Sequence, residues 1–512
     1  MKKETKIRLR YERAVGYLSD LISPWPEKDF LILIWATYKL GRSPNAVSAR
    51  AIQPPRDLRR ANSFLELGVF PWELETLLNE YFVSARVEEP KRRLGSPDEN
   101  WNQIALMLSK LRHLENSEFL YFGRSQSIWA EMRRIPHRQF FWQQDITNKL
   151  YLFRAAYLFG KEFDEIYYAD YGSCFEKVFK TGFAYFAHFM SQPIAKDFVD
   201  LRELGIDEET NRAVLERLCL SIDAAKVEDE RPKYTGYRSS LLRPNPIIRT
   251  DDGSLFCPLV ELLFERITLG LYYDLVKAGP EVMKAVSKNF ENYVTLIFSE
   301  ISGLDSVETE FVYKTGKEKI LSPDVLGIRD GSLDMIVECK LKRMPVSMKF
   351  GDADLSGRIV DDLAKAIVQI WKFHDDVCLG RVGLGYSSET EPLGLVVTLD
   401  DWFTLNSAFV DYLLDKAREI AAEKIHDFRE EKEIPVAFMS IGDLEEIAGR
   451  ASYDDLRRFV LLSTDTDLAG WNKAGLFKDK ISKNPRVAFK FLDDLDKVLP
   501  GWGQWADGDA AG

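Results

Sequence analysis

The sequence predicts a mixed protein. A large, mainly α-helical N-terminal region spans residues 1–235, and an α/β domain with a central mixed sheet spans 281–450. Two changes of texture carry that expectation. In the first region apolar residues recur at steps of three and four, as at Ile104, Met107, Leu108, Leu111 and Leu114, which is the period of an amphipathic helix. After Gly279-Pro280, short β-rich runs bounded by turn signals alternate with helical stretches, the pattern of a sheet covered by helices. The 512 residues are 46% hydrophobic and 29% charged, a composition that supports sizeable cores and excludes disordered, collagen-like and membrane-bundle chains.

Taken in order, the first region is punctuated by Pro24, Pro26, Pro54, Pro55 and Pro90. Between residues 155 and 190 it gathers aromatic residues, among them Tyr167, Phe175, Phe179, Tyr185 and Phe189. Rings at helical spacing read as core rather than as a stack for bases. Residues 236–280 read as a connecting segment, two short strands around Asp252-Gly253 feeding a helix near Pro258. The α/β domain then reads as a helix at 281–299, strands at 307–313, 324–329 and 332–339, a helix at 359–374, and buried strands at 393–399 and 434–441. Residues 451–512 read as a helical tail.

Charge bounds the partners. The chain carries −12 overall, but residues 1–150 hold 24 Lys+Arg against 18 Asp+Glu, leaving an acidic remainder. A protein that coats nucleic acid indiscriminately is unexpected, whereas a basic front end is compatible with a polyanion-facing surface. Arg133, Arg134 and Arg138 stand beside Phe140, Phe141 and Trp142 and form the candidate nucleic-acid patch there. The longest apolar runs fall well short of about 20 residues, so no membrane span or signal peptide is expected. Five scattered cysteines without C-x-x-C spacing point to a reducing, cytoplasmic setting.

The chemistry concentrates at residues 322–342. Asp324 opens one strand, and Glu338 and Lys340 lie two apart on the next, so their side chains emerge on one face. Carboxylates supply hard oxygen ligands to Mg²⁺, and a neighbouring ammonium can orient water or offset charge developing on a phosphate. Glu-x-Lys also occurs at Glu4/Lys6, Glu89/Lys91 and Glu430/Lys432, all in charged contexts that read as solvated faces. Glu338/Lys340 differ because they close an apolar strand, Leu333, Met335, Ile336 and Val337, with Pro323-Asp324 one hairpin upstream.

On these residues, 281–445 resembles the PD-(D/E)XK nuclease superfamily, whose restriction-endonuclease-like core runs helix-β-β-β-helix-β. Pro323-Asp324 matches the Pro-Asp element and Glu338-Cys339-Lys340 the (D/E)XK element. Glu291 matches the acidic residue of the preceding helix. Gln369 to Phe373 resembles the Q-x-x-x-Y motif, with Phe in place of Tyr. The resemblance covers about a third of the chain. It implies a nuclease that uses Mg²⁺ or Mn²⁺, with Asp324, Glu338 and Glu291 at the metal and Asp324, Glu338, Lys340 and Gln369 catalytic. Lys365, one turn before Gln369 on the same helix face, is placed to meet phosphate.

DNA is the usual substrate of such folds, with RNA and tRNA open as alternatives. Long helical N-terminal regions resemble those of prokaryotic restriction and anti-phage effectors, which implies a sensing or clamping role for 1–235 and admits a phage-derived activator and a homodimer. A degenerate nucleic-acid sensor or a scaffold is the competing reading, and the intact Asp324, Glu338 and Lys340 argue against it. Walker, dinucleotide, H-E-x-x-H and G-x-S-x-G motifs are absent.

Register supplies a test. A two-residue turn at Asp330-Gly331 in a regular hairpin sets Asp324 across from Val337, on the face away from Glu338. A three-residue loop, a bulge or an equivalent irregularity sets Asp324 across from Glu338, about 5 Å apart at Cα. The metal reading requires one of the latter.

Overall fold

The structure is a computed structural model. It describes residues 3–61, 63–84, 92–123, 128–143, 148–225, 234–344, 349, 357–382, 391–402, 407–425, 428, 433–465 and 467–500. The chain forms two compact units, residues 1–128 with 137–278, and residues 129–136 with 279–512. The first is mainly helical and the second is α/β.

In the first unit, helices begin where side chains satisfy their free N–H groups. At Pro97–Phe122, proline occupies the first turn and Glu99 accepts from the Ser96 N–H at 2.9 Å. The aromatic run is core: Tyr167, Phe175, Phe179, Tyr185 and Phe189 are all buried. The Trp35 indole N–H, itself buried, donates to the Phe189 carbonyl at 2.8 Å.

The segment read as 236–280 has the expected two short strands and a following helix, and up to residue 278 it belongs to the first unit. Strands β3 (Ile247–Arg249) and β4 (Leu255–Phe256) join β1 (Ile194–Ala195) and β2 (Cys219–Ser221) in a sheet of order β1-β4-β3-β2. Ile247, Ile248, Leu255 and Phe256 are buried, and strands this short need partners, which come from earlier in the chain.

In the second unit, helix Pro280–Glu300 starts with Gly279 at φ 108° and Pro280 in its first turn, and it buries Val286, Phe290, Tyr293, Val294 and Ile297. Next come β5 (Ser306–Thr309), β6 (Val312–Thr315), β7 (Glu318–Leu321), β8 (Val325–Arg329) and β9 (Ser332–Lys340). Helix Arg358–Cys378, β10 (Leu393–Thr398), helix Ser407–Lys424 and β11 (Val436–Ser440) complete the sheet. Its order is β11-β10-β9-β8-β5, parallel from β9 to β11 and antiparallel from β9 to β5. The expected single strand at 307–313 is divided: β5 pairs with β8, while β6 leaves the sheet and pairs with β7 as a separate ribbon.

The main core of this unit joins Leu326, Ile328, Leu333, Ile336 and Val396 of the sheet to Leu363, Ile367, Ile370 and Trp371 of helix Arg358–Cys378. Gly394 lets that helix approach, because a Cβ there would stand 3.0 Å from Ile370 Cγ2 and 2.8 Å from Val436 Cγ2. Residues 451–500 contribute Tyr453–Leu462, Lys473–Lys480 and short turns to the same unit. Among the described residues no helix is long and apolar enough to cross a membrane.

Candidate active site

The hairpin between β8 and β9 turns in two residues. Asp330 (φ 51°) and Gly331 (φ 71°) both adopt the left-handed conformation, which matches the twist of the flanking strands and suits an Asp-Gly pair. Arg329 accordingly pairs with Ser332 and Ile328 with Leu333. Then the register shifts: Gly327 pairs with Met335, Leu326 with Ile336 and Val325 with Val337. Asp334 is the extra residue of a β-bulge. Leu333 and Ile336, an odd and an even position, consequently share one core. Continuing the shifted register sets Asp324 across from Glu338.

The bulge is held from elsewhere in the chain. The buried Asp334 carboxylate accepts from the Tyr453 hydroxyl at 2.6 Å and from Arg457 Nε at 2.9 and 3.0 Å. A buried carboxylate with these partners keeps the irregularity in place.

Ahead of Asp324, Ser322 makes an anchored corner. Its N–H donates to the Phe311 carbonyl and its hydroxyl accepts from the Phe311 N–H, both at 2.9 Å. Pro323 has no N–H to place, and the Asp324 carbonyl accepts from the Glu310 N–H at 3.2 Å. The Asp324 carboxylate accepts from the Cys339 N–H at 2.6 Å, which pins it to β9.

Glu338 is 1% exposed and Asp324 8%. Lys340 Nζ donates to Glu338 Oε2 at 2.7 Å and reaches Gln369 Oε1 at 3.4 Å. Gln369 comes from helix Arg358–Cys378, so strand and helix both meet at the ammonium. Burial, then the Glu338 charge, pushes the Asp324 carboxyl up to about 8, against the pull of Lys340. Burial also raises Glu338, again opposed by Lys340. Burial disfavours the Lys340 charge, but the Glu338 and Asp324 carboxylates outweigh it and raise the ammonium. Glu338 Oε1 is buried without a hydrogen-bond partner.

The rim carries further charge. The Glu291 carboxylate pairs with Lys288 at 2.8 Å, and Lys288 also stands 3.6 Å from Glu310. On helix Arg358–Cys378, Lys365 is exposed one turn before Gln369. Lys342 and Lys365 flank Asp362 at 3.1 and 3.4 Å, and against burial they hold its pKa down. Phe373, in the place of the motif's tyrosine, packs edge-on against Phe311 and Tyr313 at 6.3 and 5.7 Å, so the aromatic contact persists without a hydroxyl.

Asp324, Glu338, Lys340 and Gln369 thus come together, with Glu291 nearby and Lys365 on the rim. Lys288, Glu310 and Lys342 went unread in the sequence, although Lys342 follows Lys340 by two and Lys288 precedes Glu291 by three.

Among the described residues, the candidate patch on the front end is turned inward. Arg134 is 2% exposed, and Arg138 is spent on Glu115 at 2.5 Å and Thr76 at 3.2 Å. Trp142 is buried with its N–H donated to Glu75, and the Phe141 ring lies 5.1 Å under the Arg243 guanidinium. The Arg133 side chain lies outside the described residues. A helix that buries one face turns some of its arginines inward, and there Arg138 meets Glu115.

Among the described residues, no group of three or more His, Cys, Asp and Glu side chains stands in metal-ligating geometry. Asp324 and Glu338 would offer two carboxylates, and Mg²⁺ commonly takes one or two and keeps waters for the rest. Two buried carboxyls held above their ordinary range, one with an oxygen lacking any donor, fit a hard dication. Comparison with family models, curated proteins and solved structures returns no match for this chain.

Proposed function

We propose that the second unit is a PD-(D/E)XK-type, restriction-endonuclease-like nuclease that hydrolyses phosphodiester bonds with Mg²⁺ or Mn²⁺. The observation that supports it is the bulge at Asp334, which passes a two-residue hairpin into the register that opposes Asp324 to Glu338. Element order alone would suit many α/β proteins. Two acids and a lysine on one face, at a strand irregularity anchored by a distant helix, suit far fewer.

Asp324 and Glu338 would hold the cation. When bound, it supplies Lewis acidity toward the phosphate and lowers the pKa of a bound water. Lys340 keeps its charge beside Glu338 and can donate to an attacking water or to a phosphate oxygen. Gln369 orients Lys340 through its carbonyl oxygen. Lys288, Lys342 and Lys365 stand on the rim in ion pairs with Glu291, Glu310 and Asp362, and can exchange these partners for the phosphates of a passing nucleic-acid backbone. By the resemblance alone, we extend the reading to a prokaryotic anti-phage effector.

The test incubates purified protein with plasmid, single-stranded DNA and total tRNA in Mg²⁺, Mn²⁺ or EDTA. Metal-dependent strand breakage that disappears in Lys340→Ala supports the assignment. Breakage that persists in EDTA or in that variant refutes it.

A further inference from the structure

The β6–β7 ribbon leaves the sheet immediately before the candidate catalytic aspartate and has two unlike faces. Its inner face is anchored: the Tyr313 hydroxyl donates to Asp376 at 2.8 Å, the Tyr313 ring packs on Phe373, and Ile320, its cross-strand partner, lies against the core. Its outer face is exposed and unusual. Val312 and Leu321 pair across the strands at 57% and 56% exposure, and next to them Lys314 pairs directly with Lys319. Lys317 follows at the tip, after Gly316 (φ 64°). Among the described residues none of these three lysines has an ion-pair partner.

Like charges directly opposed on a ribbon are destabilising, and an exposed apolar pair is surface that a partner can cover. The repulsion is relieved and the apolar pair is buried when an anionic surface with an apolar floor lies against the ribbon. A nucleic-acid groove has that chemistry, with phosphates along its walls and base edges and thymine methyls on its floor. The width of the groove then selects among nucleic acids. The B-DNA major groove, about 12 Å wide, admits a two-stranded β-ribbon, whereas the A-form RNA major groove is deep and too narrow.

We propose that the outer face of the β6–β7 ribbon seats in the major groove of duplex DNA, with Lys314, Lys317 and Lys319 on phosphates and Val312 and Leu321 toward the base edges. This rests on the nuclease reading above and names its substrate as duplex DNA. Asp324 follows Leu321 by three residues, about 10 Å of extended chain, so the scissile phosphate lies within a few base pairs of the ribbon.

The test measures binding of full-length protein to a duplex DNA and to duplex RNA of the same sequence, in EDTA, from 50 to 200 mM salt. The variants are Lys314→Ala/Lys319→Ala and Val312→Ser/Leu321→Ser, each checked to be folded by its unfolding midpoint, which loss of the Lys314/Lys319 repulsion should not lower; all four side chains are exposed. Wild type should prefer the DNA duplex. Removing two phosphate contacts should lower the slope of log affinity against log salt by about 2, so that wild-type affinity falls about 12-fold more than the variant's across that range. The Val312/Leu321 variant should weaken DNA binding with its salt slope unchanged.

Equal affinity for the two duplexes, or variants that bind DNA like wild type, overturns the ribbon proposal while metal-dependent cleavage leaves the nuclease reading standing. A lysine variant that self-associates with DNA affinity unchanged assigns the lysines to protection of a strand edge, and it overturns the proposal too. Absence of both binding and metal-dependent cleavage in wild type removes both readings together.

Discussion

Replacing Asp324 with asparagine should stabilise the metal-free protein, and the gain should depend on pH. Burial and the neighbouring Glu338 hold the Asp324 carboxyl at about 8 against an ordinary 3.8. The folded state therefore keeps a proton that the unfolded chain releases above about pH 4, and stability falls as pH rises from about 4 to about 8. At 1.36 kcal/mol per pH unit the whole shift corresponds to about 6 kcal/mol, a ceiling. The proton is shared with Glu338, and the ionised pair relaxes toward Lys340, so about 2–3 kcal/mol is expected at pH 8. Asparagine keeps an acceptor for the Cys339 N–H, so the hairpin contact survives. For a unit of this size the gain corresponds to a midpoint about 4–12 °C higher. Thermal unfolding at pH 4 and pH 8, in EDTA and in Mg²⁺, is the assay. In EDTA the variant should lie close to wild type at pH 4 and exceed it at pH 8, and in Mg²⁺ it should lack the stabilisation that wild type gains. A variant equal to or weaker than wild type at pH 8, or an advantage of the same size at pH 4, would refute the electrostatic account of the site.

Other expectations are independent of that one. Glu338→Ala and Lys340→Ala should each lower metal-dependent cleavage by about two to four decades, scored on plasmid and tRNA, with circular dichroism unchanged. Metal binding should displace protons from the two carboxyls, so affinity measured by calorimetry should rise as pH increases toward 8 and then level off, with buffer-dependent heats reporting the protons released. Asp334→Ala leaves the Tyr453 hydroxyl and the Arg457 guanidinium without their shared acceptor and should cost about 2–4 kcal/mol by denaturant unfolding, with faster amide exchange along β8 and β9. Arg138→Ala should destabilise the first unit by about 2–3 kcal/mol because Glu115 and Thr76 lose a buried partner, while the salt dependence of nucleic-acid binding stays the same.

The order of elements was legible in the residues themselves. Helical period, strand runs and the Gly279-Pro280 break depend on neighbours a few positions apart, and so does the Asp330-Gly331 turn, whose two residues tolerate left-handed backbone. The pairing of Glu338 with Lys340 on one face was legible for the same reason, since it follows from a period of two. Whether Asp324 would join them was not. A two-residue turn in a regular hairpin sends it to the opposite face, and the correction comes from an extra residue at Asp334 held by Tyr453 and Arg457, 119 and 123 positions along the chain. The β6–β7 ribbon and the inward turn of Arg134 and Arg138 were hidden likewise. Which face of a strand or helix finds a partner is settled by packing against distant segments, where burying an unpaired charge costs more than any local preference can return.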